Sequence, residues 1–104
     1  MTVCLGIGYD GRADIAQATH RAVAVPAGTS ADVPAIEHYL TTAGLVDPDL
    51  VIRTSGERRL SGFLLWQSAD ATIHFDDRLW PDYDTAALAE ALAVHATQIR
   101  AFGH

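Results

Sequence analysis

The stretch Asp49–Phe75, DLVIRTSGERRLSGFLLWQSADATIHF, decides how this chain is read. Leu50-Val51-Ile52 is a short apolar run between Pro48 and Gly56, too short for a helix, and it predicts a buried strand. A polar turn, Thr54-Ser55-Gly56-Glu57, follows, and the chain then delivers Arg58 and Arg59 to join Arg53. Ser61 and Gly62 precede Phe63-Leu64-Leu65-Trp66-Gln67, which is expected to open a helix. A strand end carrying arginines and a hydroxyl, followed by a helix with free backbone N–H groups, is how an α/β protein builds an oxyanion or phosphate site. The plainer reading is a surface loop whose arginines pair with Glu57 and Asp70.

Outward from this stretch, residues 2–9 read as a first strand, apolar on both faces as in a parallel sheet covered by helices. Asp10-Gly11 turns the chain into a helix over about 12–23, with Ile15, Ala18, Thr19 and Ala22 on its inner stripe. A linker at Pro26–Thr29 leads to Ser30 or Asp32 as the cap of a short helix through about Thr42, ended by Gly44. Thr72–Phe75 predicts a further strand, and about 84–102 a final helix with Leu88, Leu92, His95, Ile99 and Phe102 on one face. His95 reads as a boundary core residue, and His20, His38, His74 and His104 have no spacing suited to a metal cage. The order predicts one α/β domain over residues 1–104, a small three-stranded, mostly parallel sheet with flanking helices.

Bulk properties narrow the partners. The net charge of −6 argues against nucleic acid, yet all seven basic residues are arginine and three of them fall within residues 53–59. An acidic chain that is basic at one loop suits a small anionic ligand. With 49% apolar residues the chain is not of disordered composition. It carries no apolar run of transmembrane length and no signal-like segment at Met1, so a cytoplasmic location is expected. The single cysteine, Cys4, reads as a small core residue.

The run DLVIRTSGE-R-R-L-S-G-FLLWQ, followed by Leu79-Trp80-Pro81-Asp82, resembles the most recognisable segment of the cis-prenyltransferases, the undecaprenyl diphosphate synthase family. Tyr39-Leu40 through Asp49 also follows that family closely, and the similarity runs from about Val3 to Gly103. It corresponds to the C-terminal half of the family fold. By that resemblance Arg53, Arg59 and Ser61 hold the diphosphate of isopentenyl diphosphate. Arg12, kept from a Gly-Arg motif, has two readings, a structural residue pairing with Asp14 or another acid, which is favoured, or one that faces the ligand site.

The resemblance also implies that parts of the family's site are to be expected elsewhere than in these residues. The family's N-terminal half carries the aspartate that binds magnesium and the allylic diphosphate, together with the helices of the prenyl tunnel. The second magnesium-linked acid falls on Thr72, a hydroxyl in place of a carboxylate. The family's terminal Arg-Phe-Gly aligns with Ala101-Phe102-Gly103, leaving Arg100 one residue early. The chain is therefore assigned no catalytic residue and no metal ligand. Magnesium is expected only in a complex, bound mainly by a partner. The reading is a small subunit of a cis-prenyltransferase, with Arg53, Arg59 and Ser61 as substrate-binding residues and Arg12, Arg100 and Gly103 as secondary ones. The alternative is a catalytically silent scaffold stabilising a prenyltransferase partner. Either implies a hetero-oligomer with a chain carrying the N-terminal half, or a homo-oligomer, and peripheral membrane association through a lipid product.

Overall fold

The computed structural model describes residues 1–24 and 33–101, the side chains of residues 33, 34 and 99–101 excepted. Its elements are α1 (Gly11–Val23), α2 (Val33–Tyr39), β1 (Leu50–Arg53), β2 (Thr72–Phe75), a single 3₁₀ turn at Trp80–Asp82, and α3 (Thr85–Ala101). They group into two compact units, Met1–Val46 with Gly62–Trp66, and Asp47–Ser61 with Gln67–His104.

In the first unit α1 starts where the Asp10 side chain accepts the Arg12 N–H at 3.1 Å, satisfying one of the helix's orphan donors. Asp14 in its first turn and His20 and Arg21 in its last complement the helix dipole. Its buried face is Gly11, Asp14, Ala18 and Ala22, a ridge of small residues, while Ile15 and Thr19 stay half-buried. Asp14 is a buried carboxylate satisfied by neutral donors: it accepts Thr41 N–H at 3.0 Å and the Thr41 hydroxyl at 3.1 Å. That contact ties α1 to the end of α2. The cap of α2 expected at Ser30 or Asp32 lies outside the described residues.

In the second unit β1 and β2 pair in parallel, with Leu50 opposite Thr72 and Arg53 opposite Phe75. Helix α3 packs on β2. Asp84 caps α3 by accepting the Ala87 N–H at 2.9 Å. The inward face of α3 is Ala87 and Ala91, both fully buried, whereas Leu88 and Leu92 are 41% and 51% exposed. The leucine stripe is therefore rotated off the core. Two short strands offer too narrow a surface for branched side chains, and the alanines let the helix approach closely. His95 sits half-buried at the boundary, as its place in the pattern implies.

Two expected elements are not formed. The sheet has two strands among the described residues, not three, because residues 1–8 are irregular and exposed. A lone extended segment has no ladder to satisfy its backbone groups, and Gly8 breaks it with a φ of 64°. Cys4 is accordingly exposed, not a core residue. Residues 61–70 are consecutive turns, not a helix. Ser61, Gly62 and Leu64 adopt φ of 52°, 83° and 45°, and such left-handed residues interrupt the helical hydrogen-bond ladder. No described helix is long and apolar enough to cross a membrane.

Candidate functional site: the arginine loop after β1

Arg53 is the last residue of β1, so its side chain leaves the carboxyl end of a parallel strand. The loop that follows is pinned by backbone bonds: Ser55 N–H to Arg78 O at 2.8 Å, Gly56 N–H to Asp76 O at 3.0 Å, and Asp76 N–H to Arg53 O at 2.8 Å. Ser55 and Gly56 take left-handed φ of 72° and 73°, folding the chain back over itself. The sharp reversal brings Glu57 to the guanidinium of Arg53, where its carboxylate accepts from Nη2.

The same Glu57 oxygen lies 3.7 Å from Arg59 Nη2, and Arg53 Nη2 also reaches Ser61 Oγ at 3.4 Å. Arg53 and Arg59 thus lie around one carboxylate, and Ser61 is in reach of Arg53. Glu57 was legible only as a pairing acid; its place as the hub of the loop was not. The hydrogen bond from Arg53, then the charges of Arg59 and Arg53, hold its carboxyl below the ordinary value. The Nε of Arg53 is buried and has no hydrogen-bond partner, leaving one donor of a half-buried guanidinium unused.

The expected pairing to Asp70 is replaced by another. Arg58 faces Asp77 at 3.7 Å and lies over the Phe75 ring at 5.9 Å. Because residues 61–70 are turns, the helix N-terminus expected to follow the arginines is not formed. A second charged cluster braces the loop from below. Buried Asp76 accepts Arg78 N–H at 2.8 Å and Arg78 Nη1 at 2.9 Å, and Arg78 also reaches both Glu90 oxygens at 3.3 Å. The Glu90 hydrogen bond raises the Arg78 pKa. Burial does the same to Tyr83, whose hydroxyl is enclosed without a partner.

Arg12 is exposed in the first unit; Asp14, its expected partner, is engaged by Thr41, so that pairing is not formed. Arg100 lies within α3, but its side chain and Gly103 fall outside the described residues. Thr72 Oγ1 lies 3.0 Å from His95 Nδ1.

Comparison with known proteins places this geometry in context. A prenyltransferase family model described as "Putative undecaprenyl diphosphate synthase" matches residues 1–103. Isoprenyl transferase 1 of Bradyrhizobium diazoefficiens is 46% identical over 95% of this chain, and the isoprenyl transferase of Geobacillus kaustophilus 47% identical over 93%. The chain spans 39% and 40% of their lengths. Among solved structures, lavandulyl diphosphate synthase from Lavandula x intermedia, in complex with dimethylallyl diphosphate, superposes with a TM-score of 0.78 at 35% identity, over 86% of this chain and 41% of that one. A probable undecaprenyl diphosphate synthase from Campylobacter jejuni superposes with a TM-score of 0.77 at 28% identity, over 94% and 45% respectively.

Proposed function

Because this chain belongs to the undecaprenyl diphosphate synthase-type prenyltransferase family, we propose that it contributes the isopentenyl-diphosphate-binding loop of a cis-prenyltransferase, beside a partner chain that carries the catalytic aspartate. The observation that carries this reading is the common carboxylate of Glu57, which holds Arg53 and Arg59 while Arg53 reaches Ser61. In the reaction, the carbon–oxygen bond of an allylic diphosphate breaks and its diphosphate departs. The alkene of isopentenyl diphosphate then attacks the allylic carbon, and a proton is lost as the new cis double bond forms. This chain's share is to bind and orient the isopentenyl diphosphate. Two guanidiniums and a hydroxyl match a diphosphate's charge and its acceptor oxygens, each charge-assisted bond being worth about 1.5–3 kcal/mol. Three such groups support binding in roughly the micromolar range. Magnesium, where it takes part, supplies charge neutralisation at the departing diphosphate and is assigned to the partner.

The test is the purified chain with isopentenyl diphosphate, an allylic diphosphate and magnesium. Binding without prenyl transfer is the expected result. Robust turnover by the single chain overturns the need for a partner, and absence of binding overturns the pocket.

One observation favours a second reading, a scaffold subunit. The position of the second magnesium-linked acid is Thr72, and its hydroxyl is occupied by His95. Replacing Arg53, Arg59 and Ser61 together by alanine, in a complex with a full-length family member, separates the two. A complex that keeps its activity is scaffolded by this chain; one that loses it draws its pocket from here.

A further inference from the structure

Family resemblance implies a magnesium ion beside the diphosphates, and the residues described here do not fit one. At the family's acidic position β2 opens with Thr72, a neutral hydroxyl and a poor ligand for a hard cation that takes carboxylates. That hydroxyl is already engaged by His95 Nδ1 at 3.0 Å, and the Thr72 N–H donates to Asp49 O at 2.9 Å. The hydroxyl and the N–H of Thr72 therefore serve the packing of β2 against its neighbours. Elsewhere the carboxylates near the loop are spoken for: Glu57 by Arg53 and Arg59, Asp77 by Arg58, Asp76 by Arg78. Among the described residues no cluster of three or more His, Cys, Asp or Glu side chains is assembled to hold a cation.

Positive charge is instead built into the chain. Three guanidiniums, Arg53, Arg58 and Arg59, stand against the two carboxylates of Glu57 and Asp77. The buried, unpartnered Nε of Arg53 is a donor that a phosphoryl oxygen would satisfy. Arginine is always charged, so it neutralises a diphosphate without recruiting an ion from solution.

We infer that the loop binds a diphosphate as the metal-free anion, with Arg53 and Arg59 supplying the neutralising charge, while Thr72 and His95 form a tie between β2 and α3 and not a ligand position. This rests on the reading of the loop as a diphosphate pocket. Calorimetric titration of the whole chain with inorganic pyrophosphate, once in EDTA and once in magnesium chloride, tests it. Binding in EDTA that magnesium tightens by no more than about threefold, or weakens, is expected, since magnesium also competes for free pyrophosphate. Tightening beyond threefold, or binding seen only with magnesium, overturns the inference and leaves the pocket standing. No binding in either buffer overturns both. Thr72→Val removes the hydroxyl at constant volume. It should melt lower while its pyrophosphate affinity stays within threefold of the parent in both buffers. A larger, magnesium-specific loss would make Thr72 a ligand and overturn the inference. Should Thr72→Val not fold, the comparison of buffers on the parent chain decides alone.

Discussion

The backbone N–H of Gly11 donates to the carbonyl of Gly62 at 2.7 Å, and a Cβ built on Gly11 would stand 2.4 Å from that same oxygen. No side chain fits there, because the obstructing atom is backbone and cannot swing aside. The first turn of α1 and the turn at Gly62 are locked together by the absence of a side chain.

Gly11→Ala should therefore destabilise the chain by about 1–3 kcal/mol, the usual cost of forcing extra volume into a packed site. Gly6→Ala is the control, since its Cβ would meet only Tyr9 Cβ at an ordinary 3.5 Å. Thermal melts of both variants check this. Equal melting temperatures would contradict the close approach.

The arginine loop makes a separable demand on its two exposed arginines. Arg59→Ala removes a cation held beside Arg53 and Ser61 through Glu57, and affinity for isopentenyl diphosphate should fall by about 1.5–3 kcal/mol, roughly ten- to a hundredfold. Arg58→Ala loses contacts to Asp77 and Phe75, and should change that affinity far less. Neither should unfold the chain, exposed ion pairs being worth under about 1 kcal/mol. Calorimetric titrations beside melts read both effects, and equal, negligible changes in affinity would remove the pocket assignment.

Glu57 leaves a signature in acid. Its folded pKa lies below the ordinary 4.5 because of the Arg53 hydrogen bond and the charges of Arg59 and Arg53. As pH falls, the unfolded chain takes up this proton first. The stabilisation is thus complete above about 4.5 and is lost as pH falls through the depressed folded value. Glu57 is in contact with solvent, so salt should shrink the effect. The stability gap between parent and Glu57→Gln, measured at pH 7 and stepwise below 4.5, should close towards low pH. A gap that widens there would contradict the pairing.

The chain should associate in solution. Val3, Leu5 and Ile7 alternate along the first segment and are 73%, 83% and 90% exposed, and among the described residues neither outer edge of the β1–β2 pair is paired with a further strand. Unpaired edges and exposed apolar rows are the features through which chains pair. Sedimentation velocity at low micromolar concentration should show dimers or larger species. Val3, Leu5 and Ile7 replaced together by serine should shift the distribution towards monomer; a parent chain that sediments as a monomer would contradict this.

Much of this was written locally. The parallel strands Leu50–Arg53 and Thr72–Phe75, the helix after Asp10 and the last helix follow from caps, short apolar runs and helical spacing, signals that depend only on residues near one another in sequence. The same is true of the arginine–serine loop and of its resemblance to the prenyltransferases, carried by an unbroken run of residues. Tertiary structure alone decided three things. Residues 2–9 have the composition of a strand, but among the described residues no strand pairs with them, and an extended segment without a ladder leaves its backbone groups to water. Phe63–Gln67 has the composition of a helix, but Ser61, Gly62 and Leu64 are held left-handed, and Gly62 is fastened to Gly11 from far along the chain. The inward face of α3 is alanine and not leucine because the surface it covers is only two short strands wide, a dimension that no periodicity within the helix itself records.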